Sequence, residues 1–574
     1  MKKIVIFGAG NIGKKAYTCL SEKYDIVAFA DNNPRLWDSR LLDKFIISAD
    51  RLAEYDLDAV VIATVHYKDI GIQLNDMGYR NIYGFELTHD DGESLDYNLF
   101  LLEYINFEDF NLDLFQLKPH GMRKAKKGDQ KQVLMIAYSF PPEGGSAVQR
   151  PLKFAKYLQD FGYMPVVLTS GSKNRITSIS DKSLEDEIPA SVKVIRIDNT
   201  YSHEYLRSKE KLEEIFAYLY QIVDSVADVR AIYEAKKNDM VHILPDDRLF
   251  WEIECIKKIE DYIDMDDIDL IWSTVPSYSI HLLGYYFKKK YGIPWVADYR
   301  DLWTVSETYS SLYTWYTPKD IFLQRPLENM ILKDADAIVV AGGSWIKLFE
   351  EELLIPNEKL IEITNGYDEA DFAGVMPGTQ ANKKFTLCYN GRMQHENRNP
   401  CIILSLLNEM VEDDVLDKDE ICWVINGEIK ENFYHEMKEM DRYRIVCAKG
   451  EIVHRDCLQS GIDSNIMVFM GEAGENGWLN YPGKFYEYLR IGRPILCLTG
   501  HNSFQEKILK KTGLGENFDF QEKDKIKNFI SKEYKKWKAK SSKVSFYTNR
   551  INRFDRKYLT ARLADVFNEI LGNV

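Results

Sequence analysis

The chain has 574 residues, too many for one hydrophobic core, and at roughly 150 residues per domain three or four domains are expected. Its hydrophobic content of 45% and charged content of 28% describe an ordinary globular protein. The net charge of −15 argues against wholesale binding to nucleic acid, which needs a basic face against the phosphates.

Eight cysteines (Cys19, Cys255, Cys388, Cys401, Cys422, Cys447, Cys457 and Cys497) form no CxxC pair and no zinc-like grouping. Several sit in apolar runs, so buried free thiols in a reducing cytoplasm are expected. No apolar stretch reaches the ~18 residues of a membrane span, and Met1 leads straight into a strand-like run. The expectation is a cytoplasmic protein without a signal peptide.

The first elements come early. "KIVIFGAG" reads as a buried strand, Asn11 to Glu22 as a helix, "DIVAFAD" as a second strand and "LDAVVIATV" as a later one. Strands separated by helix-length segments predict βαβ units on a parallel sheet over residues 1–117. Within it Gly8, Gly10 and Gly13 have the GxGxxG spacing, after a strand and opening a helix, and Asp31 ends the second strand. That pattern suits a nucleotide, with Asp31 on a ribose diol and NAD as one candidate. No tyrosine before residue 118 is followed four positions later by lysine, so the short-chain dehydrogenase pair is missing. The "DNNP" at Asp31–Pro34 resembles the nucleotide-binding modules attached to sugar acyltransferases and dehydratases. A binding or regulatory module, a degenerate structural domain and a working oxidoreductase all stay open.

Residues 118–132 are polar and basic and read as a linker. A second unit over 133–365 carries six candidate strands: "VLMIAYSF", "PVVLTS", "VKVIRI", "IDLIWSTV", "IPWVADY" and "DAIVVAGG". "IEITNGYDEADF" (Ile361–Phe372) follows as a strand end and turn resembling a hinge. A third unit over 366–540 carries "FTLCYNG", "ICWVINGE", "YRIVCAKG", "IMVFMGE" and "RPILCLTG". Residues 541–574 are expected to form a helix crossing back to the second unit. The reading is therefore α/β with three Rossmann-like domains, the last two facing each other across a cleft. Ligands in such sheets lie beyond the carboxyl ends of the strands, so two facing sheets would set two ligands against each other there.

Three segments carry a resemblance: "FPPEGGSAVQRPLKFAKYLQDFGYMPVVLT", "IWSTVPSYSIHLLGYYFKKKYGIPWVADYRDLWT" and "NYPGKFYEYLRIGRPILCL". Together, over about residues 131–570, they resemble the family-4-like retaining GT-B glycosyltransferases of bacterial polysaccharide assembly. The resemblance implies a metal-independent hexosyltransferase taking a sugar from a nucleotide-diphosphate donor to a glycan or lipid-linked acceptor, with no cofactor needed for transfer. A non-hydrolysing sugar epimerase on the same body, or a non-catalytic nucleotide-sugar-binding protein, are the other readings.

Gly144 and Gly145 let the backbone approach a ligand before a helix N-terminus, on the acceptor side. Arg300 and Asp301 end a strand pointing at the cleft; Arg300 is assigned to electrostatic stabilisation and Asp301 to orienting it or an acceptor hydroxyl. Many family members have histidine before this aspartate, so an acid/base role does not carry over. Arg392 and Arg398 match the family's two cations for the donor diphosphate, the second usually a lysine one position earlier. Lys484 and Glu487 lie three apart on a helix start; the glutamate matches the family's ribose ligand, and a carboxylate suits a vicinal diol. The family's second glutamate, eight residues before Glu487, is here Leu479. Each residue also has a plain structural alternative: a tight turn, a loop-bracing pair, surface arginines, an i,i+3 ion pair.

Two further features bear on metal and membrane binding. "DYIDMDDIDL" contains two DxD triplets at Asp264–Asp269 that in another fold would hold a divalent cation; here a solvated loop before a strand is expected, and no metal. The basic "SKEYKKWKAKSSK" (Ser531–Lys543) reads as a solvated helix, with a membrane-surface contact at the inner face of the cell membrane as its other reading.

Overall fold

A computed structural model describes residues 1–64, 70, 73–74, 77–79, 81–90, 95–101, 130–171, 181–198, 218–219, 222, 244–305, 318–376, 383–393, 396–471, 479, 481–540 and 550–572. The chain divides into two compact units. The first takes residues 1–117, 201–247 and 316–330; the second takes 118–200, 248–315 and 331–574.

The first unit is built on a seven-stranded sheet. Its strands are β1 (Lys3–Phe7), β2 (Asp25–Ala30), β3 (Arg40–Leu41), β4 (Lys44–Ile47), β5 (Ala59–Ile62), β6 (Ile82–Asp90) and β7 (Leu95–Leu101), with helix α1 at Asn11–Leu20. The order is β3-β4-β2-β1-β5-β6-β7. The middle is parallel, as the βαβ pattern predicts, while β3/β4 and β6/β7 pair antiparallel at the two edges. β1 is buried on both faces after Lys3 because helices cover such sheets on both sides. Ile4, Ile6, Phe29 and Val61 pack with Ala16 and Leu20 of α1. The chain turns from β2 to β5 on opposite sides of β1, so the crevice opens beyond Phe7, at Gly8–Gly10.

The second unit holds two wholly parallel sheets. One runs β10-β9-β8-β11-β12-β13-β14, from β8 (Lys131–Ile136), β9 (Tyr163–Ser170), β10 (Lys193–Ile197), β11 (Leu270–Thr274), β12 (Trp295–Tyr299), β13 (Ala337–Val340) and β14 (Leu360–Glu362). The other runs β17-β16-β15-β18-β19-β20, from β15 (Phe385–Asn390), β16 (Ile421–Asn426), β17 (Val446–Gly450), β18 (Ile466–Met470), β19 (Ile495–Leu498) and β20 (Gly515–Phe518). Both switch direction after their first three strands, beside β8 in one sheet and β15 in the other. Those two strand ends are where ligands belong.

Helix α2 (Ser146–Tyr157) follows β8, and the closing helix α3 (Arg556–Gly572) packs against it. Although α3 follows the second sheet of this unit in sequence, Leu559, Leu563, Phe567 and Leu571 enter the core under the first, beside Val133, Leu152 and Phe154. Each such side chain contributes about 1.5–3 kcal/mol by leaving water. The Tyr163 hydroxyl donates to Asn568 Oδ1 at 2.8 Å across the same contact.

Segment 361–372 is pinned rather than free. Arg150 of α2 donates to the carbonyls of Ile363 and Thr364, and the buried Lys153 ammonium sits among Glu187, Asp368 and Asp371 at 2.6, 2.9 and 2.5 Å. The Tyr157 hydroxyl donates to Asp368 at 2.6 Å.

Candidate functional site

Helix α4 (Gly483–Ile491) starts after Pro482 with no side-chain cap; the Phe485 N–H turns back to the Pro482 carbonyl at 3.2 Å, which leaves the N–H groups of Gly483 and Lys484 to face an anion. The approach to it is fixed from the facing lobe. The Tyr481 hydroxyl lies 2.5 Å from Ser344 Oγ, and Trp345 Nε1 donates to the Leu479 carbonyl at 3.0 Å. Leu479 itself is buried, which accounts for an apolar residue where the resembled family has a carboxylate. Asn365 Nδ2 donates to the Tyr481 carbonyl at 3.0 Å.

Lys484, in the first turn of α4, reaches the end of β15. Its ammonium is 2.7 Å from the Tyr389 hydroxyl and 4.2 Å from the centre of that ring. It also passes so close to Gly391 (φ +131°) that a Cβ there would stand 3.0 Å from Nζ. Burial pushes the Lys484 pKa well down, the nearby Arg398 guanidinium adds to this, and Glu487 opposes it. Lys484 therefore stands at the switch point of this sheet with Glu487 one turn on along the same helix, and the charge of Arg398 acts on it.

Glu487, one turn on, is a quarter exposed and takes a 2.9 Å hydrogen bond at Oε1 from Nε2 of His454. His454 opens the helix His454–Asp463, which follows β17. Burial works against its charged form, but Glu487 and then Asp371 outweigh burial and Lys153, pushing its pKa up to about 9.

Arg392 lies just beyond Gly391 but does not join this group. Its exposed guanidinium is 3.2 Å from Glu451 and 3.8 Å from Glu428, carboxylates at the ends of β17 and β16.

On the facing lobe, Gly144 is buried and Gly145 adopts φ +97° with open space where a Cβ would project. Arg300 comes to the same loop, with Nη1 donating to the carbonyls of Ser146 and Ala147 at 3.0 and 2.8 Å. These are the first two residues of α2, and Arg300 Nε is left buried without a hydrogen-bond partner among the described residues. Burial pushes the Asp301 carboxyl up, with Arg300 pulling the other way.

In the first unit, Gly8 (φ +113°) and Gly13 are both needed for close packing. A Cβ on Gly8 would meet the Ala63 carbonyl, and one on Gly13 the Gly8 carbonyl. Gly10 faces open space. Asp31 lies beside this turn, Oδ2 accepting from Ala9 N–H at 2.9 Å and Oδ1 from Asn33 N–H at 2.8 Å.

The DxD aspartates serve local structure: Asp264 caps the turn Met265–Asp267 by accepting from Asp266 N–H, and Asp269 accepts from Gln132 N–H of β8. The carboxylates that do converge, Glu187, Asp368 and Asp371, gather round the Lys153 ammonium. On the basic helix Lys523–Lys538, Lys525, Lys527, Lys532, Lys536 and Lys538 each pair with a carboxylate, while 541–543 of the basic stretch lie outside the described residues. Among the described residues no helix is long and apolar enough to cross a membrane.

A family model described as C2185-like, N-terminal, matches residues 1–82. A search of curated proteins finds no match. Among solved structures, a glycosyltransferase from Rickettsia africae superposes with a TM-score of 0.51 at 13% identity, over 78% of this chain and 100% of that one. The second unit has the GT-B fold: two parallel α/β lobes meeting at their strand ends. A sucrose-phosphate synthase from Thermosynechococcus elongatus (TM-score 0.49, 13% identity, 78% and 100% covered) and a UDP-N-acetylglucosamine 2-epimerase homologue from Listeria monocytogenes (0.44, 10%, 78% and 98%) are more distantly similar.

Sequence reasoning missed His454, Tyr389 and the pair Ser344–Tyr481. His454 carries one signal, its place as first residue of a helix after a parallel strand. Asp298 was passed over in "VADYRD" in favour of its neighbours, yet it is the carboxylate that Arg150 holds.

Proposed function

We propose that the chain is a retaining glycosyltransferase that moves a sugar from a nucleotide-diphosphate donor to a glycan or lipid-linked acceptor in cell-surface polysaccharide assembly, without a metal. The observation that carries this is the placing of Lys484, with Glu487 one turn on, where the N-terminus of α4 meets Tyr389 and Gly391 at the end of β15, with the charge of Arg398 acting on the ammonium. A diphosphate fits there, because helix amides and two cations oppose the charge that grows as the glycosidic bond breaks. Glu487 then stands one helical turn away to accept from a ribose diol.

Arg392 would add a third cation on exchanging Glu451 for a phosphate oxygen. On the acceptor side Gly145 would admit the incoming hydroxyl beside Arg300 and Asp301, with the departing diphosphate taking its proton. In the first unit, the Gly8–Gly10 turn and Asp31 would hold a nucleotide, NAD being one candidate, as a binding or regulatory module.

The test is release of nucleoside diphosphate by the full chain from a panel of UDP-, GDP- and dTDP-sugars, with slow hydrolysis expected before any acceptor is supplied. Lys484→Met and Glu487→Gln should abolish it. Binding without turnover of any donor, or conversion of the sugar to its epimer, would overturn the reading.

A further inference from the structure

Glu487 is held from one side only. His454 engages Oε1, and among the described residues no hydrogen bond reaches Oε2. The two side chains are 25% and 27% exposed, which keeps their contact in a weakly screened setting while leaving the carboxylate accessible. Among the described residues, charged groups on three other elements act on His454: Glu487 of α4 by direct contact, and Asp371 of the turn after β14 and Lys153 of α2 through their charge.

We infer that His454 is a positioning residue for nucleotide recognition, its ring fixing the Glu487 carboxylate so that the free oxygen accepts from a vicinal diol such as a ribose. The inference rests on the donor-site reading above. Two physical effects support it. A carboxylate anchored at one oxygen has a single rotamer to offer, so the ligand bears less of the ordering entropy. A bare carboxylate close to a diphosphate would also repel it, whereas an imidazolium–carboxylate pair is neutral in sum.

The test is calorimetric binding of UDP, GDP and their 2′,3′-dideoxy counterparts to the full chain. In the natural chain, loss of the diol should weaken binding about tenfold. In His454→Ala, binding of the ribose nucleotide should fall about tenfold and the diol penalty should shrink toward none. His454→Gln, which can still donate, should restore part of that penalty, and it serves in place of the alanine variant should that one fail to fold. A folded variant that binds more weakly yet keeps the full diol penalty would make His454 merely structural and overturn the inference. If the natural chain binds neither nucleotide, the donor-site reading fails and takes this inference with it; if it binds both with no diol penalty, only the role of Glu487 and His454 fails.

Discussion

The Arg150 guanidinium lies in bidentate contact with the Asp298 carboxylate, Nη2 2.6 Å from Oδ1 and Nε 2.8 Å from Oδ2, and neither side chain reaches water. Two further N–H groups go to the carbonyls of Ile363 and Thr364, both at 2.9 Å, so one residue of α2 ties β12 to the segment leaving β14. Arg150→Met would strand a buried carboxylate and two carbonyls. A loss of about 3–5 kcal/mol is expected, read as a lower unfolding midpoint of the full chain. Pairing it with Asp298→Leu should recover most of the loss, whereas Arg150→Lys should not, since an ammonium cannot reproduce the planar fork. Equal midpoints for Arg150→Met and the double variant would contradict this account.

Lys484 should behave oppositely. It is held partly buried beside Arg398 with its pKa pushed down, which is unfavourable for the empty chain. Lys484→Met should therefore leave the unfolding midpoint unchanged or raise it, while weakening nucleoside diphosphate binding ten- to a hundredfold. A bound diphosphate favours the charged ammonium and raises its pKa, so binding should take up protons. Calorimetry in buffers of different ionisation enthalpy would then give different apparent heats for the natural chain and not for Lys484→Met. Identical proton uptake in both would assign the proton to another group.

The strands of both large sheets were legible because parallel strands buried on both faces are near-continuous apolar runs. "ICWVIN" and "LIWST" have no polar face to confuse the period. Short edge strands such as β20, "GENF", have no such run and were missed, as was the antiparallel pair β6/β7. That Lys484 and Glu487 share the first turns of one helix was legible because three-residue spacing on a helix is a local property. Arg150 and Asp298 stand 148 residues apart, and His454 and Glu487 33 apart. No periodicity links such partners, and only the folded sheets bring them into contact.

The His454–Glu487 pair makes stability depend on pH in a defined window. Glu487 and Asp371 raise the His454 pKa from 6.5 to about 9, so the folded chain holds that proton more tightly than the unfolded one. The stabilisation is fully present below pH 6.5, declines as pH rises, and is gone above about 9. Its size is at most about 3 kcal/mol. Unfolding midpoints of the natural chain and His454→Gln should differ most near pH 6 and converge by pH 9–10. A gap that stays constant across this range would mean that His454 is neutral in the fold.

The glycine turn of the first unit separates packing from binding. A Cβ at Gly13 would lie well inside contact distance of the Gly8 carbonyl oxygen, which is backbone and cannot swing away. Gly13→Ala should therefore lower the unfolding midpoint of the first unit, with a cost of about 1–3 kcal/mol for forcing the turn apart. Gly10, one residue before α1, meets nothing within 4 Å of an added Cβ, so Gly10→Ala should fold normally. The space beside Gly10 would serve a ligand brought against the open N-terminus of α1, which has no side-chain cap. If a nucleotide or NAD binds there, Gly10→Ala should abolish its stabilising thermal shift while leaving the unliganded midpoint in place. Survival of that shift in Gly10→Ala, together with its loss in Asp31→Ala, would move the ligand off the turn and onto the end of β2.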